Sequence, residues 1–279
     1  MTDVTITADQ LRTRLAGGAP PVLLDVRWQL GDDRGHEQYR DGHIPGAIYV
    51  DLNTDLASPA GPQDGRHPLP DIAALQEAAR RWGIDADSTV VAYDDNGNQA
   101  AARAWWLLRW AGLTDVVLLD GGLRSWRDAG FDIVAGEETA SSQGTVQLAA
   151  EHLSTVDVDG VATAEGILLD ARAGERYRGE NEPIDPRAGH IPGALSAPTA
   201  DNLDSDGRFR SPEELRARFA ALGVEPGTPT AVYCGSGVTA AHQIAALAIA
   251  GVDATLYPGS WSQWSSDPDR PAATGAEPG

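Results

Sequence analysis

Residues 230–240 read Thr230-Ala231-Val232-Tyr233-Cys234-Gly235-Ser236-Gly237-Val238-Thr239-Ala240, and the fold turns on this stretch. The apolar opening, bounded by Pro229, has the composition of a buried strand. Beyond the glycines, Ala240 to Ala250 is rich in alanine and isoleucine and stops at Gly251, the pattern of a helix with a C-terminal glycine. Cys234, the only cysteine in the chain, therefore sits on a tight turn from strand to helix. In such a turn several backbone N–H groups converge, and the helix N-terminus adds partial positive charge. Both favour a thiolate, the nucleophilic form of the side chain. A lone cysteine can also be a small buried hydrophobe. The Gly-Ser-Gly that follows has no packing purpose, so the stretch reads as a reactive loop, with Gly235, Gly237, Val238 and Thr239 shaping a site around the sulfur.

Working outward, the rest of the chain repeats. Leu23-Leu24-Asp25-Val26-Arg27 is echoed by Leu168-Leu169-Asp170-Ala171-Arg172, and Gly42-His43-Ile44-Pro45-Gly46-Ala47 returns unchanged as Gly189 to Ala194. Tyr233 answers Tyr93, and Gly259 to Trp264 answers Gly121 to Trp126, all at offsets of roughly 140 residues. Within each copy, short apolar runs alternate with helical segments. In the first copy strands are expected at 22–27, 48–50, 89–93 and 116–119, and helices at 71–82 and 99–111. Capping boxes open helices at Thr7 and Ser211. This is an α/β pattern with two tandem domains, each a small, mostly parallel sheet covered by helices on both faces. The acidic, serine-rich stretch around 135–144 marks the join. The boundaries drawn are a first domain at 1–136, a linker at 137–148 and a second domain at 149–279. The tail beyond Asp267, rich in proline and glycine, reads as frayed. One position breaks the repeat: Tyr93-Asp94-Asp95-Asn96-Gly97 stands where the second copy has Tyr-Cys-Gly-Ser-Gly. Only the second copy carries a nucleophile.

Composition narrows the chemistry. The 279 residues carry a formal charge of −20, which argues against nucleic acid or an anionic membrane as partners. An anionic substrate must then be held by local arginines. All the Lys+Arg content is arginine; without lysine there is no Schiff base, no Walker A motif and no kinase strand lysine. The six histidines show no metal-binding spacing, so no metal site is expected. A cysteine phosphatase would need an arginine six positions after the nucleophile, where Ala240 stands. No run approaches membrane-spanning length, Met1-Thr2-Asp3-Val4 lacks a signal-peptide pattern, and a single cysteine suits a reducing compartment. The expected location is cytoplasmic.

Two Asp-x-Arg…Gly-His-Ile-Pro-Gly-Ala blocks, one cysteine loop and a closing Gly-Ser-Trp-x-x-Trp together resemble the tandem rhodanese-domain sulfurtransferases. The resemblance covers nearly the whole chain. It implies an inactive first domain, an active second one, and no bound cofactor. It also implies a reaction in which Cys234 takes the outer sulfur of a small-molecule donor as a persulfide. That sulfur then passes to a thiol acceptor, such as thioredoxin or a small thiol, or to cyanide. Thiosulfate-using members resemble Cys-Arg-Lys-Gly-Val-Thr in this loop, where two cations meet a dianion; Cys-Gly-Ser-Gly-Val-Thr is similar to the 3-mercaptopyruvate branch, whose donor has one carboxylate.

From the same resemblance, the carboxylate-binding arginines fall on Arg176 and Arg187, with Arg178 as the alternative to the latter. Planar guanidinium suits a carboxylate. The mercaptopyruvate branch implies a proton relay of Ser236, His67 and Asp51, useful because the donor arrives as a thiol and leaves as an enolate. The recurring His43 and His190 read as turn-fixing residues, Trp261 and Trp264 as core, and Asp25–Arg27 and Asp170–Arg172 as structural ion pairs. Two rivals stay open: thiosulfate as donor by the same persulfide chemistry, and a non-catalytic sulfur-carrying or redox-sensing module.

Overall fold

The computed structural model describes residues 3–163 and 165–279; the reading of Met1 and Thr2 as an acidic N-terminus without a targeting pattern lies outside them. The chain divides into two compact units. The first comprises Met1–Ser58, Pro70–Leu153 and Ser205–Phe209, and the second Pro59–Leu69, Ser154–Asp204 and Arg210–Gly279. Each unit thus takes in a short segment from inside the other's stretch of sequence, and Pro59–Leu69 groups with the cysteine loop.

The first unit holds β1 (Thr5–Ile6), β2 (Val22–Asp25), β3 (Ala47–Tyr49), β4 (Val90–Tyr93) and β5 (Val116–Leu119). They form one parallel sheet in the order β1-β5-β4-β2-β3. Every residue of β4 and β5 is buried, as expected of strands covered on both faces. The second unit holds β6 (Ile167–Asp170), β7 (Leu195–Ser196), β8 (Thr230–Tyr233) and β9 (Thr255–Leu256), parallel in the order β7-β6-β8-β9. The order β3-β2-β4-β5 of the first sheet matches β7-β6-β8-β9 of the second; a single parallel bridge, Thr155 to Leu256, stands where β1 pairs with β5. The sequence order reverses between β6 and β8, so the crevice beyond their C-terminal ends is the place where open α/β sheets bind ligands. Cys234 is the first residue past β8.

The repeated motifs do the same work in each copy. Arg27 forks onto Asp25 (3.0 and 2.7 Å) and donates to the Gly42 carbonyl (2.8 Å). Arg172 does the same with Asp170 (3.0 and 2.6 Å) and Gly189 (2.7 Å). These buried pairs tie a strand end to the Gly-His-Ile-Pro-Gly turn. The Ile44 and Ile191 amides donate to the hydroxyls of Tyr93 and Tyr233, each at 3.1 Å. His43 and His190 are fully buried, with Nδ1 2.8 Å from the carbonyls of Tyr39 and Tyr177 and the rings stacked on those tyrosines. Trp261 and Trp264 pack in the second unit's core. Among the described residues no helix is long and apolar enough to cross a membrane.

Several local expectations are corrected. The tail beyond Asp267 is not frayed: Ala273 pairs with His190, the Gly193 amide donates to Pro278 (2.7 Å), and Trp264 donates to Pro271 (2.7 Å). Val134 pairs with His43 in the first unit in the same way. Main-chain bonds decide here, and proline and glycine content says nothing about them. The helices Gly35–Asp41 and Leu52–Asp55 went unread because they are short and polar. The helix after β8 starts at Val238, two residues before the alanine run, whereas its counterpart after β4 starts at Ala101.

That difference in helix start explains Asp94. Its fully buried carboxylate accepts from the amides of Asn96 (2.8 Å), Asn98 (2.7 Å), Ala100 (2.8 Å) and Ala101 (3.0 Å). Burial pushes its pKa up to about 6 while those four donors pull it down, so at neutral pH it is a carboxylate filling its own anion cradle. In the first copy the amides of this turn are thus occupied by a carboxylate of the chain itself. Asp94→Ala leaves four amides to water or to nothing and lowers the unfolding free energy by about 2–4 kcal/mol, read from urea midpoints at pH 7; an unchanged midpoint contradicts this.

Candidate active site

The turn carrying Cys234 is pinned from one side by the segment opening the helix Ser260–Ser266. The amides of Trp261 and Ser262 donate to the carbonyls of Cys234 and Gly235, both at 2.9 Å. The Cys234 amide donates to Ser260 Oγ (3.1 Å), which itself donates to the Tyr257 carbonyl (3.0 Å). Ser260 holds a left-handed conformation (φ 55) at the place where the first copy has Gly122 (φ 57). A non-glycine residue there costs of order 1 kcal/mol, and its hydroxyl gives the Cys234 amide an acceptor in return. Sequence reasoning missed Ser260; the replacement of Gly122 by serine in the second copy was the available signal.

Gly237, at φ 77, turns the chain into the thirteen-residue helix Val238–Ala250. Its amide donates to Cys234 Sγ at 3.1 Å. Where several N–H groups were expected on the sulfur, the described residues supply this one. Asp94 reaches four because it extends two oxygens into a wider loop, while sulfur is one atom in a tighter turn. Negative charge on that sulfur, as thiolate or persulfide, still meets an amide donor and a helix N-terminus. Cys234 is 2% exposed and Val238 is also buried, with Thr239 half-buried.

Beside the turn, His67 Nδ1 lies 2.7 Å from Ser236 Oγ, and both side chains are buried. The segment bearing His67 is fixed by the Arg66 amide donating to Ser262 Oγ (3.1 Å) and by Gln263 donating to the Gln63 carbonyl (2.8 Å). Gly65 must be glycine: it sits at φ 79, and a Cβ would lie 2.6 Å from the Gly259 carbonyl oxygen. Asp51, in the first unit, caps the helix Leu52–Asp55, its carboxylate accepting from the amides of Asn53 (2.8 Å) and Thr54 (3.2 Å).

Two guanidiniums stand over Gly235. A Cβ built there would lie 3.0 Å from Arg66 Nη2 and 3.4 Å from Arg176 Nη1. That proximity explains the glycine, since a larger side chain would push into the arginines. Arg176 was anticipated; Arg66 was not, although it directly precedes His67. Both are held by acids. Arg176 donates to Glu182 (2.7 Å) and Asp185 (3.1 Å), and Arg66 donates to Asp185 through Nη1. Burial works against the Glu182 carboxylate, but Arg176 and the amides of Asp185 and Ile184 hold it below the usual range. Burial, together with the neighbouring Glu182 charge, pushes Asp185 up against the pull of Arg66 and Arg176.

Neither candidate for the second carboxylate ligand fits that role. Arg187 spends its guanidinium on four main-chain carbonyls, of Ser265 (3.0 Å), Arg270 (2.7 Å), Trp264 (3.1 Å) and Asp267 (2.7 Å). It is a clasp for the C-terminal segment, which explains why that segment is ordered. Arg178 pairs with Glu180 at the surface. Arg187→Lys loses most of the clasp and lowers stability by about 2–4 kcal/mol, measurable as a reduced urea midpoint; an unaltered midpoint overturns the assignment.

With this geometry in view, comparison with known proteins is consistent across sequence and structure. The rhodanese-like domain matches residues 7–129 and 145–267. The "Probable 3-mercaptopyruvate sulfurtransferase" of Pseudomonas aeruginosa is 49% identical over 280 residues, covering 97% of this chain and 98% of that protein. The "Putative thiosulfate sulfurtransferase SseB" of Mycobacterium tuberculosis is 45% identical over 277 residues, covering 98% and 97%. The crystal structure of SseA from Escherichia coli, described as a 3-mercaptopyruvate sulfotransferase of the rhodanese fold, superposes with a TM-score of 0.82. Its identity is 32%, covering 94% of this chain and all of that one. A duplicated α/β fold whose second copy alone keeps the loop cysteine, together with these matches, means that the chain belongs to the tandem rhodanese-domain sulfurtransferases.

Proposed function

We propose that the protein moves sulfur from 3-mercaptopyruvate, through a persulfide on Cys234, to a thiol or to cyanide. The observation that carries this reading is the neutral Gly235-Ser236 pair beside the sulfur, with Ser236 hydrogen-bonded to His67. A thiol donor needs a proton moved, and thiosulfate does not. In the first half-reaction the Cys234 thiolate attacks the donor sulfur, an S–S bond forms, and the C–S bond breaks. The electron pair leaves as pyruvate enolate, and the proton of the donor thiol ends on its carbon. Ser236 and His67 form the path for that proton. Asp51 is the third member of that relay, as the resemblance implies. The donor carboxylate is bound by Arg176. In the second half-reaction an acceptor thiolate takes the outer sulfur and regenerates the Cys234 thiolate.

A second reading, thiosulfate as donor, is favoured by the printed name of the Mycobacterium tuberculosis relative. Thioredoxin or a small thiol as physiological acceptor, a cytoplasmic location, and inherited domains at 1–136 and 149–279 joined by 137–148 belong to the same proposal. Steady-state rates with both donors, reading pyruvate and thiocyanate or sulfide, decide between them: 3-mercaptopyruvate is expected to be the better substrate by kcat/KM. A higher value for thiosulfate reverses the assignment, and a single persulfide without turnover leaves only a sulfur-carrying module. Cys234→Ser abolishes transfer with both donors. Ser236→Ala lowers kcat with 3-mercaptopyruvate by about 10–100-fold and leaves any thiosulfate rate nearly unchanged; equal losses with both donors argue against the relay.

A further inference from the structure

Arg66 and Arg176 share one arrangement. Each gives one face to an acid and keeps another nitrogen at the loop. Arg66 Nη1 and Arg176 Nη2 both bond to Asp185, one carboxylate oxygen each. Among the described residues, no hydrogen bond is made by the two nitrogens closest to Gly235, Arg66 Nη2 and Arg176 Nη1. Arg66 Nε is buried and also has no partner. Asp185 is 2% exposed at its side chain, against 26% for Arg66 and 14% for Arg176. The carboxylate is therefore behind the arginines, and the open donors face the residue next to the nucleophile.

Charge adds the second observation. Arg66, Arg172 and Arg176 are balanced one for one by Asp170, Glu182 and Asp185. The seat presents directional donors while the cluster as a whole carries no net charge. A monoanion loses little by this, since two N–H groups still fit a carboxylate. A dianion loses twice as much, because a nearby charge acts in proportion to the charge it meets.

We infer that Arg66 and Arg176 together form the donor's anion seat over Gly235, and that Asp185, bridging them from behind, is the positioning residue that makes the seat favour monoanionic over dianionic donors. The inference rests on the sulfur-transfer reading and deepens it. It assigns the second guanidinium to Arg66 and places the choice of donor in a carboxylate outside the cysteine loop.

The test compares wild type, Asp185→Asn, Arg66→Ala and Arg66→Lys. Asp185→Asn is expected to lower KM for both donors and to raise the thiosulfate to 3-mercaptopyruvate ratio of kcat/KM by about tenfold. Arg66→Ala raises both KM values by about tenfold, and Arg66→Lys recovers part of that. An unchanged donor ratio in Asp185→Asn, or unchanged KM values in Arg66→Ala, overturns the inference. Calorimetric binding of thiosulfate and of pyruvate to Cys234→Ser protein, with and without Asp185→Asn, reads the seat without turnover. There the added substitution must tighten thiosulfate more than pyruvate, and equal changes overturn it. Were wild type to turn over neither donor, the function proposed above would fail while this binding comparison still decided the seat.

Discussion

The position of one sulfur atom depends on a short set of main-chain hydrogen bonds. The carbonyls of Cys234 and Gly235 are each held by an amide from the start of the Ser260–Ser266 helix, and the Cys234 amide is held by Ser260 Oγ. A strand-to-helix turn left to itself could settle in several conformations. Pinned at three points and finished by a left-handed Gly237, this one has a single course. The sulfur, the Gly237 amide and the helix N-terminus therefore have a fixed relation before any substrate arrives, and that preorganisation costs nothing at the moment of reaction.

The duplication makes the physics of the turn visible twice. In the first unit the same turn ends in Asp94, whose carboxylate gathers four amides. In the second unit the turn carries Cys234 in that place, and the guanidiniums of Arg66 and Arg176 lie over Gly235. One loop architecture thus gathers amides around a carboxylate in one copy and holds the cysteine in the other, according to which side chain follows the strand. The buried Asp–Arg pairs and the tyrosine hydroxyls behind the turns are shared by both copies, so they belong to the fold and not to the chemistry.

Much of this was legible in the sequence. The apolar runs at 90–93, 116–119 and 230–233 became strands because nothing but burial explains them, and the capping boxes at Thr7 and Ser211 opened helices as the residues demand. His67 beside Ser236 was reached through resemblance, and spacing alone would not have found it. What stayed hidden depended on hydrogen bonds between residues far apart in the chain. Arg187 looked like a ligand because arginine is the residue that binds carboxylates, and no local pattern shows that its donors go to four carbonyls some 80 positions on. Arg66 looked like a loop residue because its partner, Asp185, is 119 positions away. The tail looked loose because its composition carries no trace of the turn it pairs with.

The central claim is that Cys234 carries the transferred sulfur. The most direct test is mass spectrometry of the intact protein and its Cys234 peptide after 3-mercaptopyruvate is added without an acceptor, with pyruvate measured in parallel. The account predicts one added sulfur atom on Cys234 for each pyruvate released, lost again when dithiothreitol is supplied. Pyruvate released with no sulfur retained on Cys234, or sulfur found on the protein after Cys234→Ser, would contradict it.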